Sequence, residues 1–144
     1  MLSADVLMAG YSGTPLPKKL GIKERARVAL LDVPAEVQAE LTEALSSCEL
    51  PNTSRVLDFV FLFSKKRSEL TKEFSRMAKR LAPAGVLWVA WPKKTSGVHT
   101  DLNENEVRRI GLQAGLVDVK VCAVDEVWSG LKFVIRVKDR AARP

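Results

Sequence analysis

Lys93, Lys94, Thr95 and Ser96 follow directly on an unbroken apolar run, residues 86–91, that closes with Trp91. Such a run reads as a central strand covered on both faces, and the crevice outside the carboxyl ends of such strands is the usual binding position of an open α/β sheet. Near the start of the chain, Tyr11, Ser12, Gly13 and Thr14 precede Lys18 and Lys19. Glycine and short hydroxyl residues let backbone N–H groups approach an anion, and lysines add charge. Facing one another, the two groups would hold a phosphate, a carboxylate or a nucleotide. The same residues can instead brace the fold, with Tyr11 packed over the sheet, Thr14 and Pro15 opening a helix, and the lysines in solvent.

Other chemistry is thinner, and no catalytic residue is assigned. His99 is the only histidine, which excludes a multi-histidine metal site, and although Asp101 stands two residues away no activated nucleophile accompanies them. Asp125 and Glu126 suit acid and base work or a solvated turn. Cys48 and Cys122 lack CxxC spacing, which argues against metal or redox use. Trp88 and Trp91, three apart on a strand, point to opposite faces: Trp88 reads as core, while Trp91 joins the core, lines a pocket or stacks on a base. Trp128 covers a turn or reaches the same rim.

The elements that position these groups follow from apolar period and punctuation. Leu16 and Leu20 with Gly21 predict one helical turn, and residues 27–32 predict a first strand closed by Asp32 and Pro34. Val37, Leu41, Ala44 and Leu45 stripe the next helix. Residues 56–63 are too apolar for an exposed strand and predict a central parallel one. A helix carrying Leu70, Phe74, Met77, Ala78 and Leu81 follows, with Ser64 or Ser68 as N-cap and residues 83–85 as its stop. After the strand at 86–91, Asn103 caps a helix that ends at Gly115. Residues 117–128 and 131–137 predict two antiparallel strands turning at Ser129 and Gly130. The order implies one three-layer, Rossmann-like α/β domain with a mixed sheet of about five strands: an N-terminal arm and short helix to residue 26, a core over 27–137 and a basic tail over 138–144.

At 144 residues the chain buries enough surface to fold without disulfides or metals. No apolar stretch approaches the ~20 residues of a membrane span. The first residues lack a signal peptide's basic and apolar regions, and two cysteines suit a reducing cytoplasm. The net charge of +6 raises a nucleic-acid reading, with Tyr11 or Trp91 as stacking groups. The excess gathers at Lys65, Lys66, Arg67, Lys79 and Arg80, and again at Lys132, Arg136, Lys138, Arg140 and Arg143. A solvated helix face and a loose basic tail are the competing explanation.

This order and some local wording resemble the class I S-adenosylmethionine-dependent methyltransferases over about residues 16–137. Residues 80–89, Arg-Leu-Ala-Pro-Ala-Gly-Val-Leu-Trp-Val, resemble their Leu-Lys-Pro-Gly-Gly turn before a strand, and residues 114–118 with the closing hairpin resemble their last helix and antiparallel pair. The resemblance implies that Asp32 is the acid at the end of the first strand. It also implies a glycine-rich cofactor loop after that strand, where this chain has Pro34, Ala35 and Glu36, and an acid for the ribose on a second strand, for which residues 48–52 leave little room.

The whole chain is also similar to a small bacterial family, a domain of unknown function. Its marks are Gly-Tyr-Ser-Gly-Thr-Pro-Leu at 10–16, Lys-Lys-Leu-Gly-Ile-Lys at 18–23, Leu-Trp-Val-Ala-Trp-Pro-Lys-Lys at 87–94 and Trp-Ser-Gly-Leu at 128–131. The expectation is a non-catalytic, methyltransferase-like domain that binds a small anionic ligand or a protein partner at the carboxyl ends of its strands. The alternatives are a methyltransferase with a divergent cofactor loop and a nucleic-acid-binding protein.

Overall fold

The computed structural model describes residues 13–50 and 56–143. Helix α1 (Leu16–Leu20) starts with Pro17 in its first turn, where a missing N–H costs nothing, and stops at Gly21, whose φ of 79° is left-handed. Then come β1 (Val28–Leu31), α2 (Ala35–Leu45), β2 (Leu57–Phe63), α3 (Arg67–Ala78), β3 (Leu81–Pro92), α4 (Glu104–Gln113), β4 (Leu116–Ala123) and β5 (Trp128–Ile135).

The five strands form one sheet in the order β1-β2-β3-β5-β4, as a mixed sheet with a closing hairpin requires. β1, β2 and β3 run parallel, whereas β5 is antiparallel to both β3 and β4. Pro92 pairs with Trp128 and Ala123 with Ser129, so the ends of β1 to β4 and the start of β5 share one edge of the sheet.

Strand alternation divides the core into two layers. On one face α1 and α2 cover Val28, Phe59, Phe61, Phe63, Trp88 and Ala90. On the other α3 and α4 cover Val60, Leu62, Leu87, Val89, Trp91 and Leu131. Each large side chain buried this way contributes about 1.5–3 kcal/mol, which outweighs any local propensity. Trp88 and Trp91 therefore lie on opposite faces, 0% and 5% exposed. Trp88 Nε1 donates to the Leu20 carbonyl at 2.8 Å and ties α1 to the middle strand.

Four local features differ from the sequence expectation. Residues 83–85 do not stop a helix. α3 ends at Ala78, and β3 begins five residues before Val86, pairing Leu81 with Leu57 before a bulge shifts its register. The closing turn is at 124–127, where Asp125 Oδ1 accepts the N–H groups of Val127 and Trp128 at 2.8 Å each. Ser129 and Gly130 instead sit within β5, because the Trp88 ring lies about 3.3 Å from where a Cβ of Gly130 would stand. The N-cap position of α3 is Lys66, and no side chain of that residue caps it. The tail forms a 3₁₀ helix (Val137–Ala142), tied back where Arg140 Nε donates to the Ile135 carbonyl at 3.0 Å and Arg143 Nη1 to the Ala78 carbonyl at 2.8 Å. Among the described residues no helix is long and apolar enough to cross a membrane.

Candidate ligand-binding site

The carboxyl edge carries two separate clefts. The first, of about 340 Å³, lies between the ends of β1 and β2. Phe63 and Trp128 line it, with ring centroids 4.8 Å apart in an edge-to-face contact. Asp32 and Pro34 bound it on the β1 side, and Ser64, Lys65, Lys66 and Glu69 on the β2 side. A smaller hollow of about 150 Å³ continues past Asp32, Phe63, Ser64 and Glu69 towards Lys72 and Glu73.

Local chemistry shapes each wall. Asp32 has φ of 57°, a left-handed conformation that non-glycine residues adopt mainly as Asn or Asp, so the chain turns sharply out of β1 with the carboxylate exposed. Ser64 is the buried polar residue of the described chain. Its hydroxyl donates to the Lys66 carbonyl and accepts the Lys66 N–H, closing a tight turn that leaves Lys65 and Lys66 exposed. Lys66 Nζ lies 4.0 Å from Glu69. That turn is held from outside: Thr100 Oγ1 donates to the Lys65 carbonyl at 2.6 Å, and Asp101 Oδ1 accepts the Arg67 N–H at 2.7 Å. Asp101 thus caps α3 rather than pairing with the exposed His99.

The second cleft, of about 600 Å³, sits at the end of β3 beside the start of α4. Trp91, Lys93 and Lys94 line it with Asn103, Glu104 and Asn105. Ser96 uses its hydroxyl internally, donating to the Lys93 carbonyl at 2.7 Å and accepting the Val98 N–H at 3.1 Å. Asn103 Oδ1 accepts the Glu106 N–H at 2.8 Å and caps α4, as its position predicts.

The N-terminal residues stand apart from both clefts. Tyr11 and Ser12 lie outside the described residues. Gly13, Thr14 and Lys18 are exposed, and none of Gly13, Thr14, Lys18 and Lys19 lines the cleft of Lys93 and Lys94. Lys19 Nζ donates to the Ala123 carbonyl at 2.8 Å, which binds α1 to the end of β4. Its charge has company there. Burial raises the Glu40 carboxyl above its ordinary value, Asp125 adds to the shift and Lys19 opposes it. Burial also pushes the Cys122 thiol up, against the pull of Lys19 and Lys120. Asp32, Trp91, Lys93 and Lys94 do reach the carboxyl edge, as expected of strand ends, but Asp32 lines one cleft and the other three line its neighbour.

Phe63, Lys65 and Lys66 are readable by the rule that selects Lys93, whereas Trp128 opens β5 and is not. Residues 59–63 are an apolar run followed by Ser64, Lys65 and Lys66. Many of the arginines meanwhile are engaged within the fold: Arg67 and Arg109 with Glu106, Arg76 with Glu73, and Arg108 with Glu104 and Asp118. Among the described residues no group of three His, Cys, Asp or Glu side chains is placed to hold a metal ion.

Sheet order and edge geometry define a Rossmann-like scaffold of the class I methyltransferase type. Fibrillarin of Aeropyrum pernix, solved with S-adenosylmethionine, superposes with a TM-score of 0.51 at 14% identity over 92% of this chain and 74% of that one. The fibrillarin pre-rRNA processing protein of Methanococcus jannaschii gives 0.50 at 11% over 93% and 74%. LepI with S-adenosylhomocysteine gives 0.53 at 12% over 84% and 39%. Identities this low establish the fold alone. The chain spans 42% of TnmH, another structure of this fold, and 39% of LepI. It belongs to the family described as protein of unknown function (DUF3052), which matches residues 18–137. Among curated proteins, none matches it.

The residues after β1 do not fit the family manner of holding S-adenosylmethionine. The glycine positions carry Pro34, which offers no N–H, and Ala35 and Glu36, the first residues of α2. Among the described residues, the place of a second strand is taken by one bridge, Glu49 to Arg27, at the opposite edge of the sheet. No acid is thereby brought to the carboxyl edge for a ribose.

Proposed function

We propose that this chain is a binding module on a methyltransferase-type scaffold, and that it takes a small molecule with a flat apolar part and an anionic group in the cleft between β1 and β2. One observation carries the reading: the edge-to-face ring pair of Phe63 and Trp128 lines the same cleft as two exposed lysines, Lys65 and Lys66. The half-buried Trp128 ring, backed by the buried Phe63, offers an apolar surface, lysines pair with phosphate or carboxylate, and the cleft lies at the strand ends where open sheets bind ligands. Asp32 and Glu69 on the rim favour a ligand that also carries hydroxyl or ammonium donors.

The fold favours a second reading, a methyltransferase with a rebuilt cofactor loop. Calorimetric titration with ATP, S-adenosylmethionine and S-adenosylhomocysteine separates the two. Saturable ATP binding that weakens about tenfold or more in the Lys65→Ala/Lys66→Ala variant, with melting unchanged, supports the binding module. Saturable S-adenosylmethionine binding indifferent to those lysines supports the methyltransferase. A short duplex at two salt concentrations tests the nucleic-acid alternative, for which affinity must fall steeply with salt.

A further inference from the structure

Trp91 carries a donor that nothing in the fold receives. The residue is 5% exposed, and among the described residues no group accepts its indole N–H. Trp88, buried on the other face, gives its own to the Leu20 carbonyl. A buried indole N–H ordinarily has a partner, and an orphaned one marks a place where water, an ion or a ligand binds. Of the clefts described, the Trp91 ring borders the one of about 600 Å³ beside α4, so that is where a partner can enter.

The start of α4 supplies further donors to the same cleft. Asn103 Oδ1 takes the Glu106 N–H and the Asn103 carbonyl takes the Val107 N–H at 3.0 Å, whereas the N–H groups of Glu104 and Asn105 have no acceptor among the described residues. These orphans sit at the positive end of the helix. Lys93 is fixed at the rim by its backbone N–H, which donates to the Val127 carbonyl at 2.8 Å. Among the described residues no ion pair or hydrogen bond engages the ammonium group of Lys93 or Lys94. Ser129 lies opposite Trp91 in the β3–β5 ladder, so its unengaged hydroxyl stands on the same face of the sheet. The carboxylate that lines the cleft, that of Glu104, is already held by Arg108 Nη2 at 2.6 Å.

We infer that this cleft is a second ligand site, separate from that of Lys65 and Lys66, and that it holds a phosphate group, free or esterified to a small molecule. The Glu104 and Asn105 N–H groups with the Lys93 and Lys94 ammonium groups meet its charge, and the Trp91 indole and the Ser129 hydroxyl donate to its remaining oxygens. A phosphate presents acceptors on several sides, which matches donors that arrive from α4, β3 and β5 together. A carboxylate, with its oxygens in one plane, leaves part of that set unmatched.

The test is nuclear magnetic resonance of the full chain, resolving backbone amides and indole N–H signals, in titrations with inorganic phosphate, glycerol phosphate and, at matched ionic strength, sodium chloride. Both phosphates are expected to shift the Trp91 indole and the Glu104 and Asn105 amides saturably. The Trp88 indole, committed to Leu20, stays in place, and chloride moves none of them. Tighter binding of glycerol phosphate assigns the site to an ester and equal binding to free phosphate, and both outcomes support it. Lys93→Ala/Lys94→Ala is expected to weaken phosphate about tenfold or more. Trp91→Phe removes the N–H, keeps a ring and weakens it several-fold; if that variant fails to fold, Ser129→Ala gives a smaller loss in the same direction. Lys65→Ala/Lys66→Ala leaves these shifts unchanged, whether or not the first cleft binds ATP. No saturable shift at millimolar phosphate, a Trp91 indole that does not move, or an equal response to chloride overturns the inference. A response lost with Lys65 and Lys66 but kept without Lys93 and Lys94 assigns the phosphate to the first cleft and overturns it equally.

Discussion

Asp101 and Arg67, 34 residues apart, meet where the Asp101 carboxylate accepts the Arg67 backbone N–H at 2.7 Å. The first orphan donor of α3 is thus satisfied by a residue from the segment that follows β3, and the neighbouring Thr100 holds the Lys65 carbonyl. Asp101→Ala removes the cap and is expected to cost about 1 kcal/mol in urea unfolding, whereas Asp101→Asn keeps an acceptor and recovers most of it. If the Lys65–Lys66 turn binds the ligand, Asp101→Ala also weakens ATP binding several-fold and Asp101→Asn does not.

Trp88 donates its ring N–H to the buried Leu20 carbonyl. Trp88→Phe leaves that acceptor without a partner and opens space beneath α1, so a loss of about 2–4 kcal/mol is expected in chemical unfolding. Because the bond anchors α1, amide exchange in Leu16–Leu20 should quicken more than in α3 or α4. Equal quickening everywhere means that Trp88 acts through packing alone.

Gly111 lies on α4 directly against Phe133, and a Cβ there would overlap the ring. Gly111→Ala gains about 1 kcal/mol of helix propensity, yet the ring sits in a closed core between Phe74 and α4 and has nowhere to go. Net destabilisation of about 1–2 kcal/mol is expected. Combining it with Phe133→Leu should recover part of that loss in a double-mutant cycle.

Arg27 grips Asp58 with a bidentate guanidinium contact at 2.7 and 2.8 Å and with its backbone N–H at 2.9 Å. The Arg27 hydrogen bond, the largest cause, holds the Asp58 carboxyl below its ordinary value against an opposing burial effect. A carboxyl depressed on folding stabilises above its unfolded value, near 3.9, and that contribution fades as pH falls through the folded value. Asp58→Asn is therefore expected to cost about 1–2 kcal/mol at pH 7, discounted for partial exposure, and less at pH 2. Unfolding curves at the two pH values check it.

Much of the fold is legible because its signals are local and strong. The apolar runs 56–63 and 86–91 name two central strands, Gly21 and Gly115 end helices with φ of 79° and 94°, and Asn103 caps α4. Misread features are those where a distant contact overrides a local cue. Pro83 and Gly85 look like a helix stop but form a bulged start of β3, because Leu81 is drawn into the core beside Leu57. Ser129 and Gly130 look like a turn, but Trp88 needs Gly130 in a strand, and Asp125 organises the turn instead. Tail arginines that look solvated have carbonyls to bind.

The layered α/β order, the mixed five-stranded sheet and the edge at which polar residues follow apolar strands are legible from the residues alone, because hydrophobic period and turn chemistry act over a few residues. Which strand ends are neighbours emerges from the assembled sheet. It joined Asp32 to Lys65, Lys66 and Trp128 in one cleft, moved Lys93 and Lys94 to another, and turned Lys19 to the Ala123 carbonyl. Strand order and register bring together residues far apart in the chain. Those depend on how whole layers bury their apolar faces, a condition that no short stretch of sequence carries.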